Sequence, residues 1–140
     1  MRKQRRFTIM LLISLSLFGL CACQSDDGNA NIDADNTLGY EQIDAHKAKE
    51  IMDSNEEYVL VDARTDEEFA SGHIKGAILI PEYEIAGRAE QELPDKNALI
   101  LVYCRSGRRS KIASEELVAL GYTNVKEFGG IIDWPYEVVK

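Results

Sequence analysis

The sequence predicts an α/β sandwich on a mostly parallel sheet, and three observations predict it. Short apolar runs alternate with helical patterns beyond residue 39, and no hairpin turn joins two of the runs. The most apolar run, Ala98 to Tyr103, has no polar face, as a strand covered by helices on both sides requires. In such sheets the ligand site lies at the carboxyl ends of the strands.

Each element follows from its own residues. "DAHKAKEIMDS" predicts a helix with Asp44 as N-cap and with Ala48, Ile51 and Met52 at helical spacing. "YVLVDA", Tyr58 to Ala63, is a short apolar strand. "TDEEFASG" opens a helix in which Thr65 caps and Glu68, three places on, completes a capping box. "AILI" before Pro81 is the next strand, and "EIAGRAEQEL" a helix weakened by Gly87. "ALILVY" is the buried strand. "SKIASEELVAL" is the strongest helix, beginning near Ser110, with Ile112, Ala113, Leu117 and Leu120 on one side and Gly121 as terminator. "NVKEF" is the last strand.

The 140 residues give room for one domain, and a hydrophobic content of 45% suffices for its core. The first segment stands apart from that domain. Arg2, Lys3, Arg5 and Arg6 precede an apolar run from Phe7 to Leu20, the pattern of an export signal rather than of a spanning helix. Leu20, Cys21, Ala22 and Cys23 resemble the bacterial lipobox, which makes Cys23 the expected lipidation site. Residues 1–22 are then a lipoprotein signal peptide, and 23–38 the acylated cysteine with a flexible, acidic tether, "QSDDGNANIDADNTL". Such a tether spans roughly 20 Å on average. The domain occupies 39–140, and the expected location is extracytoplasmic, lipid-anchored to a bacterial cell membrane.

The formal charge of −8 becomes −12 once the leader's four basic residues leave 12 basic against 24 acidic ones. So acidic a body excludes nucleic acid as a partner. It also sets apart the arginines that follow Cys104. With Cys21 removed and Cys23 acylated, Cys104 is the one free thiol, so no internal disulfide and no C-x-x-C pair can form.

Cys104 follows the most buried strand, in "LVYCRSGRRS". A cysteine is nucleophilic as its thiolate, which nearby cations and a helix N-terminus favour. Arg105, Arg108 and Arg109 bring the cations and the next helix brings its free N–H groups. Gly107 lets successive amides turn inward as an anion nest. Composition and position thus predict a loop that binds an oxyanion and delivers a sulfur nucleophile to it, with Cys104 as nucleophile and Arg105, Ser106, Gly107, Arg108 and Arg109 as substrate-binding residues.

Several pieces in order identify a resemblance to the rhodanese-like, or thiosulfate sulfurtransferase, family. They are Asp62-x-Arg64, the Gly72 to Ala77 run "GHIKGA", the Cys104 strand and loop, and "LGYTNVKEFGGIIDW" with Gly129, Gly130 and Trp134. The resemblance implies a three-layer sandwich on a five-stranded parallel sheet, and a two-step transfer through a Cys104 persulfide. The amides of Arg105 to Arg109 would stabilise the persulfide, and Arg105 and Arg109 would stand nearest the donor. The implied partners are a small anionic sulfur donor, a thiol or cyanide acceptor and a sulfur-relay protein. No metal or organic cofactor is implied. The alternative within the family is a persulfide carrier or sensing module that does not turn over. Phosphatase or arsenate reductase chemistry fits less well, because the tyrosine phosphatases place arginine six residues after cysteine and Ser110 stands there.

Other residues receive structural readings. Asp62 and Arg64 are expected as an ion pair supporting a strand end, His73 as a turn residue bonded to backbone, and His46 as a solvent residue. Trp134, Gly129 and Gly130 are expected to pack and turn the chain below the loop. Ser110 is expected to bond the sulfur or to cap its helix.

Overall fold

The computed structural model describes residues 39–140. The expected signal peptide, Cys23 and the tether lie outside the described residues. Five strands form a single parallel sheet in the order β1–β5–β4–β2–β3: β1 Glu41–Gln42, β2 Tyr58–Asp62, β3 Ile78–Leu79, β4 Leu99–Cys104 and β5 Val125–Gly130. The helices are α1 Ala45–Asp53, α2 Asp66–Ser71, α3 Ile85–Glu92 and α4 Arg108–Ala119, with 3-10 turns at Glu82–Glu84 and Ile131–Asp133. The predicted sandwich is the observed one.

β4 is central because both its faces are apolar. Ile100, Val102 and Cys104 join the core under α3 and α4, with Ile85, Ala89, Leu93, Ala113 and Leu117. Leu99, Leu101 and Tyr103 join the core under α1, with Ala48, Ile51, Phe128 and Trp134. Alternate residues face opposite layers, so one strand anchors both. Each buried aliphatic side chain there contributes about 1.5–3 kcal/mol.

The caps follow the sequence in three helices and depart from it at one end. Asp44 accepts from the Lys47 N–H at 2.7 Å, and Thr65 and Glu68 form the capping box of α2. At the end of α4 the Tyr122 N–H bonds to the Leu117 carbonyl and the Gly121 N–H to that of Val118, with Gly121 at φ +93°. Those two bonds close the helix in a Schellman motif.

The start of α4 corrects the sequence reading. The helix begins at Arg108, two residues before Ser110, and its N-cap is Gly107 in the left-handed region, φ +94°. Ser110 is therefore not a cap. The buried stripe also differs: Ser110, Ala113, Ser114 and Leu117 face the sheet while Ile112 is exposed. Starting two residues earlier does not turn the helix; the sheet surface selects which stripe it covers. β1 has no counterpart among the strands read from the residues, because it is two polar, exposed residues paired with Lys126 and Glu127.

Candidate active site

The site forms where β4 gives way to α4, and its shape depends on an irregularity in the neighbouring strand. Val102 pairs with Glu127, but Cys104 pairs with Gly130, so β5 carries one extra residue at this point. Gly129 takes φ +89° within that bulge. The displaced backbone of Gly130 then lies directly under the loop: a Cβ there would stand 2.2 Å from the Arg105 carbonyl oxygen and 2.5 Å from the Ser106 Cα. No residue but glycine fits. The Ile132 N–H donates to the Arg105 carbonyl at 3.2 Å and ties the following turn to the loop.

Cys104 is the last residue of β4 and is buried. Its Sγ accepts a hydrogen bond from the Gly107 N–H at 3.1 Å. Burial alone would push the thiol up. Hydrogen bonding to the sulfur from the Ser110 hydroxyl and from the amides of Ser110, Ser106 and Gly107 outweighs burial, and the thiol lies below its ordinary value. The amides turn inward because Gly107 adopts the left-handed conformation and α4 starts immediately afterwards. Its first turn therefore aims unpaired N–H groups at the sulfur.

The arginines divide into two kinds. Arg105 and Arg108 are exposed at the rim. Arg109 is half-buried and held by Glu68 of α2, with Nη1 to Oε2 at 2.6 Å and Nη2 to Oε1 at 2.8 Å. Arg109, expected near the donor, thus has two of its guanidinium nitrogens engaged by a carboxylate. Its guanidinium reinforces the loop through a carboxylate that the capping box had already placed.

Asp62, at the end of β2, holds Arg64 through Nε and Nη2, the latter at 2.6 Å, and Arg64 Nη2 also donates to the Gly72 carbonyl at 2.7 Å. Both residues are buried. The Arg64 guanidinium lies 5.7 Å from the centre of the Tyr103 ring, and the Tyr103 hydroxyl accepts from the Ile74 N–H. Burial, then Asp62, push that phenol up, so it remains neutral. This cluster supports the β2 and β4 ends and does not contact the sulfur.

The remaining sequence candidates fall away from the thiol. His73 sits after α2, hydrogen-bonded to the Phe69 carbonyl at 3.1 Å and stacked on the Phe69 ring. His46 is exposed and hydrogen-bonds the Tyr136 hydroxyl at 2.8 Å. Trp134 packs against Phe128 beneath the sheet. A groove of about 730 Å³ lies there, bordered by Lys49, Tyr58, Trp134 and Tyr136; Cys104 does not line it.

One residue at the site was missed in the sequence. Glu127 is buried, and its Oε1 accepts from the Ser110 hydroxyl at 2.6 Å and from the Gly129 N–H at 2.8 Å. The signal was present in "NVKEF": a strand alternates faces, so Glu127 shares the inward face of Val125.

A parallel sheet with a buried cysteine at the end of its central strand, its sulfur held by an amide of a helix-starting loop, defines the class. The family description Rhodanese-like domain matches residues 44–135, and the chain belongs to that family. Over 80 residues it is 41% identical to the thiosulfate sulfurtransferase PspE of Escherichia coli, covering 57% of this chain and 77% of that one. Over 94 residues it is 36% identical to a sulfurtransferase of Allochromatium vinosum, covering 66% of this chain and 86% of that one. Among solved structures it resembles a rhodanese with anions from E. coli, at a TM-score of 0.57 and 39% identity over 60% of this chain and 99% of that chain.

Proposed function

We propose that this protein is a sulfurtransferase that moves a sulfane sulfur from thiosulfate, or a similar anionic donor, to a thiophilic acceptor through a persulfide on Cys104. The observation that carries the reading is the cradle at the sulfur, with the Gly107 N–H 3.1 Å from Sγ and the α4 N-terminus behind it. The family and the sulfurtransferases it resembles support the same reading. Cys104 attacks the outer sulfur of the donor, the donor S–S bond breaks, and sulfite leaves with the bonding electron pair. The inward amides then face a terminal persulfide anion, and hydrogen bonds to charged groups of this kind contribute about 1.5–3 kcal/mol each. Cyanide or a thiolate attacks that outer sulfur and Cys104 leaves as thiolate.

The loop favours sulfur over phosphoryl chemistry. Arg109 lies five residues after the cysteine rather than six, and its two nitrogens engage Glu68. The decisive experiment is mass spectrometry of the purified protein after thiosulfate. A gain of one sulfur atom on Cys104, removed by cyanide with release of thiocyanate, is expected; an unmodified cysteine would remove the reading.

The reading includes location. Export and acylation of Cys23 would hold the domain at an extracytoplasmic membrane face, with a sulfur-relay protein or a small thiol as acceptor. Two or three acyl chains anchor stably where one does not, at about 0.8 kcal/mol per buried methylene. The full chain should fractionate with membranes, and Cys23→Ser should release it. A wild-type protein found unacylated and outside the membrane fraction rules out the anchor and leaves the sulfur chemistry untouched.

A further inference from the structure

Among the described residues, Arg105, Arg108 and Lys111 belong to no ion pair, and all three are exposed within one short stretch at the mouth of the Cys104 loop. Lys75 and Lys140 are the other described cations without a carboxylate partner. Glu115, four residues beyond Lys111, and Asp133, beside Ile132, pair with none of the three. In a chain of net charge −8, this is a local concentration of uncompensated positive charge.

Apolar side chains stand beside that charge. Ile132 is 62% exposed, and its N–H is bonded to the Arg105 carbonyl at 3.2 Å, which places it at the rim of the loop. Ile112 is 38% exposed and lies four residues beyond Arg108, on the same side of α4. A small dianion such as thiosulfate gains nothing from an aliphatic side chain. Lys111 stands about 4.5 Å further along the axis of α4 than Arg108, away from the loop amides that would hold such an ion. Cations spread over a helical turn, with exposed isoleucines among them, suit a larger partner. Its negative charge would be repelled by the acidic remainder of the surface and drawn to this one place, which fixes its orientation.

We propose that Arg105, Arg108, Lys111 and Ile132 form the docking surface for an acidic protein that carries the acceptor thiol. The surface borders the one atom such a partner must reach, the outer sulfur of the Cys104 persulfide. The partner's thiolate attacks that sulfur and a new S–S bond forms on the partner. The Cys104 S–S bond breaks, and Cys104 leaves as thiolate with the bonding pair. One persulfide anion and one thiolate are present before the step and after it, so no oxidant or reductant is needed. Docking supplies proximity: the cations bring the acidic surface to the mouth, and Ile132 packs against its apolar part.

This rests on the sulfur-transfer reading, and the test keeps the two apart. The probes are two synthetic peptides of equal length with one cysteine each, flanked by leucine and aspartates in one and by leucine and lysines in the other. The purified full chain is loaded with thiosulfate, and sulfur transfer to each peptide is timed at low and high salt. The acidic peptide should react about tenfold faster at low salt, an advantage that shrinks as salt screens the cluster. Lys111→Glu should slow transfer to it about tenfold. Lys75→Glu makes the same change of net charge beside the groove that Cys104 does not line, and should leave the rate within about twofold. Ile132→Ser should slow the acidic peptide about threefold with its salt dependence unchanged. Equal rates for the two peptides, or equal losses in Lys111→Glu and Lys75→Glu, would overturn the proposal. Fluorescence anisotropy of the acidic peptide, with serine in place of its cysteine, reads binding to the unloaded chain without any sulfur chemistry. If thiosulfate leaves Cys104 unmodified, the donor reading fails and the anisotropy still decides the surface. Anionic phospholipid vesicles are the competing probe: a chain that binds them through Lys111 and discriminates neither peptide carries a lipid surface there, which refutes the protein partner.

Discussion

Arg109, in the first turn of α4, and Glu68, in the first turn of α2, meet through two parallel hydrogen bonds of 2.6 and 2.8 Å although 41 residues separate them in the chain. Glu68 also accepts from the Thr65 N–H. One carboxylate therefore caps a helix and fixes the arginine beside the Cys104 loop.

Glu68→Gln should release that guanidinium toward the anion site. The expected result is a lower KM for thiosulfate together with a stability loss of about 1.5–3 kcal/mol from the charged hydrogen bonds removed. Steady-state kinetics and urea melts measure the two effects; an unchanged or raised KM would show that Arg109 does not reach the donor even when freed.

The same pair makes stability depend on acid. Hydrogen bonding from Arg109, opposed by partial burial, lowers the Glu68 carboxyl from 4.5 to about 2. A depressed carboxyl stabilises fully above its unfolded value and loses that contribution as pH falls through the folded one. The stability gap between wild type and Glu68→Gln should therefore be constant near neutrality, shrink below about pH 4.5 and vanish near pH 2. A gap that persists at the lowest pH would mean the pair contributes nothing ionic.

How much of this was visible in the sequence depends on the range of the interaction. The Cys104 loop was legible because its amides, glycine and helix start lie within six residues, where local geometry decides. The capping box at Thr65 and Glu68 was legible for the same reason. The engagement of Arg109 by Glu68 was not, since it requires two helix starts to be brought together by the sheet. Of the two readings open for Ser110, the cap fails because spacing alone cannot distinguish it from Gly107, whose positive φ ends the loop two residues sooner. Ile112 was expected inside and is exposed, while Ser114 is buried, because the sheet surface rather than hydrophobicity alone orients α4.

The Asp62 and Arg64 pair should be required for folding rather than chemistry. Both are buried, and Asp62→Ala leaves a guanidinium without its carboxylate, which costs about 3–5 kcal/mol. Thermal denaturation should show a large drop in Tm, with any protein that stays folded keeping a Cys104 that is alkylated at the wild-type rate. A selective loss of alkylation at unchanged Tm would assign the pair a direct role at the sulfur.

Cys104→Ser should abolish turnover, since a hydroxyl is nearly isosteric with the thiol but forms no persulfide. Circular dichroism and urea melts should stay close to wild type, because the Gly107 N–H can donate to oxygen as it does to sulfur. Appreciable cyanide-dependent release of thiocyanate by the serine variant would place the nucleophile elsewhere.

The adjacent glycines of β5 should behave differently, and the contrast tests how the loop is held. Around Gly129 nothing lies within 4 Å of an added Cβ, but its φ is +89°. Gly129→Ala therefore incurs left-handed backbone strain of about 1–2 kcal/mol and should leave the sulfur environment intact. Around Gly130 the backbone is ordinary, φ −124°, but an added Cβ would stand 2.2 Å from the Arg105 carbonyl oxygen. That contact is with main chain, which no side-chain rotation relieves, so the loop must shift. Gly130→Ala should destabilise by about 1–3 kcal/mol through overpacking and also move the Gly107 N–H off the sulfur. Thiolate formation should then require higher pH, and alkylation by iodoacetamide at neutral pH should slow. If Gly130→Ala and Gly129→Ala alkylate alike, the close approach of β5 does not set the geometry of the cradle.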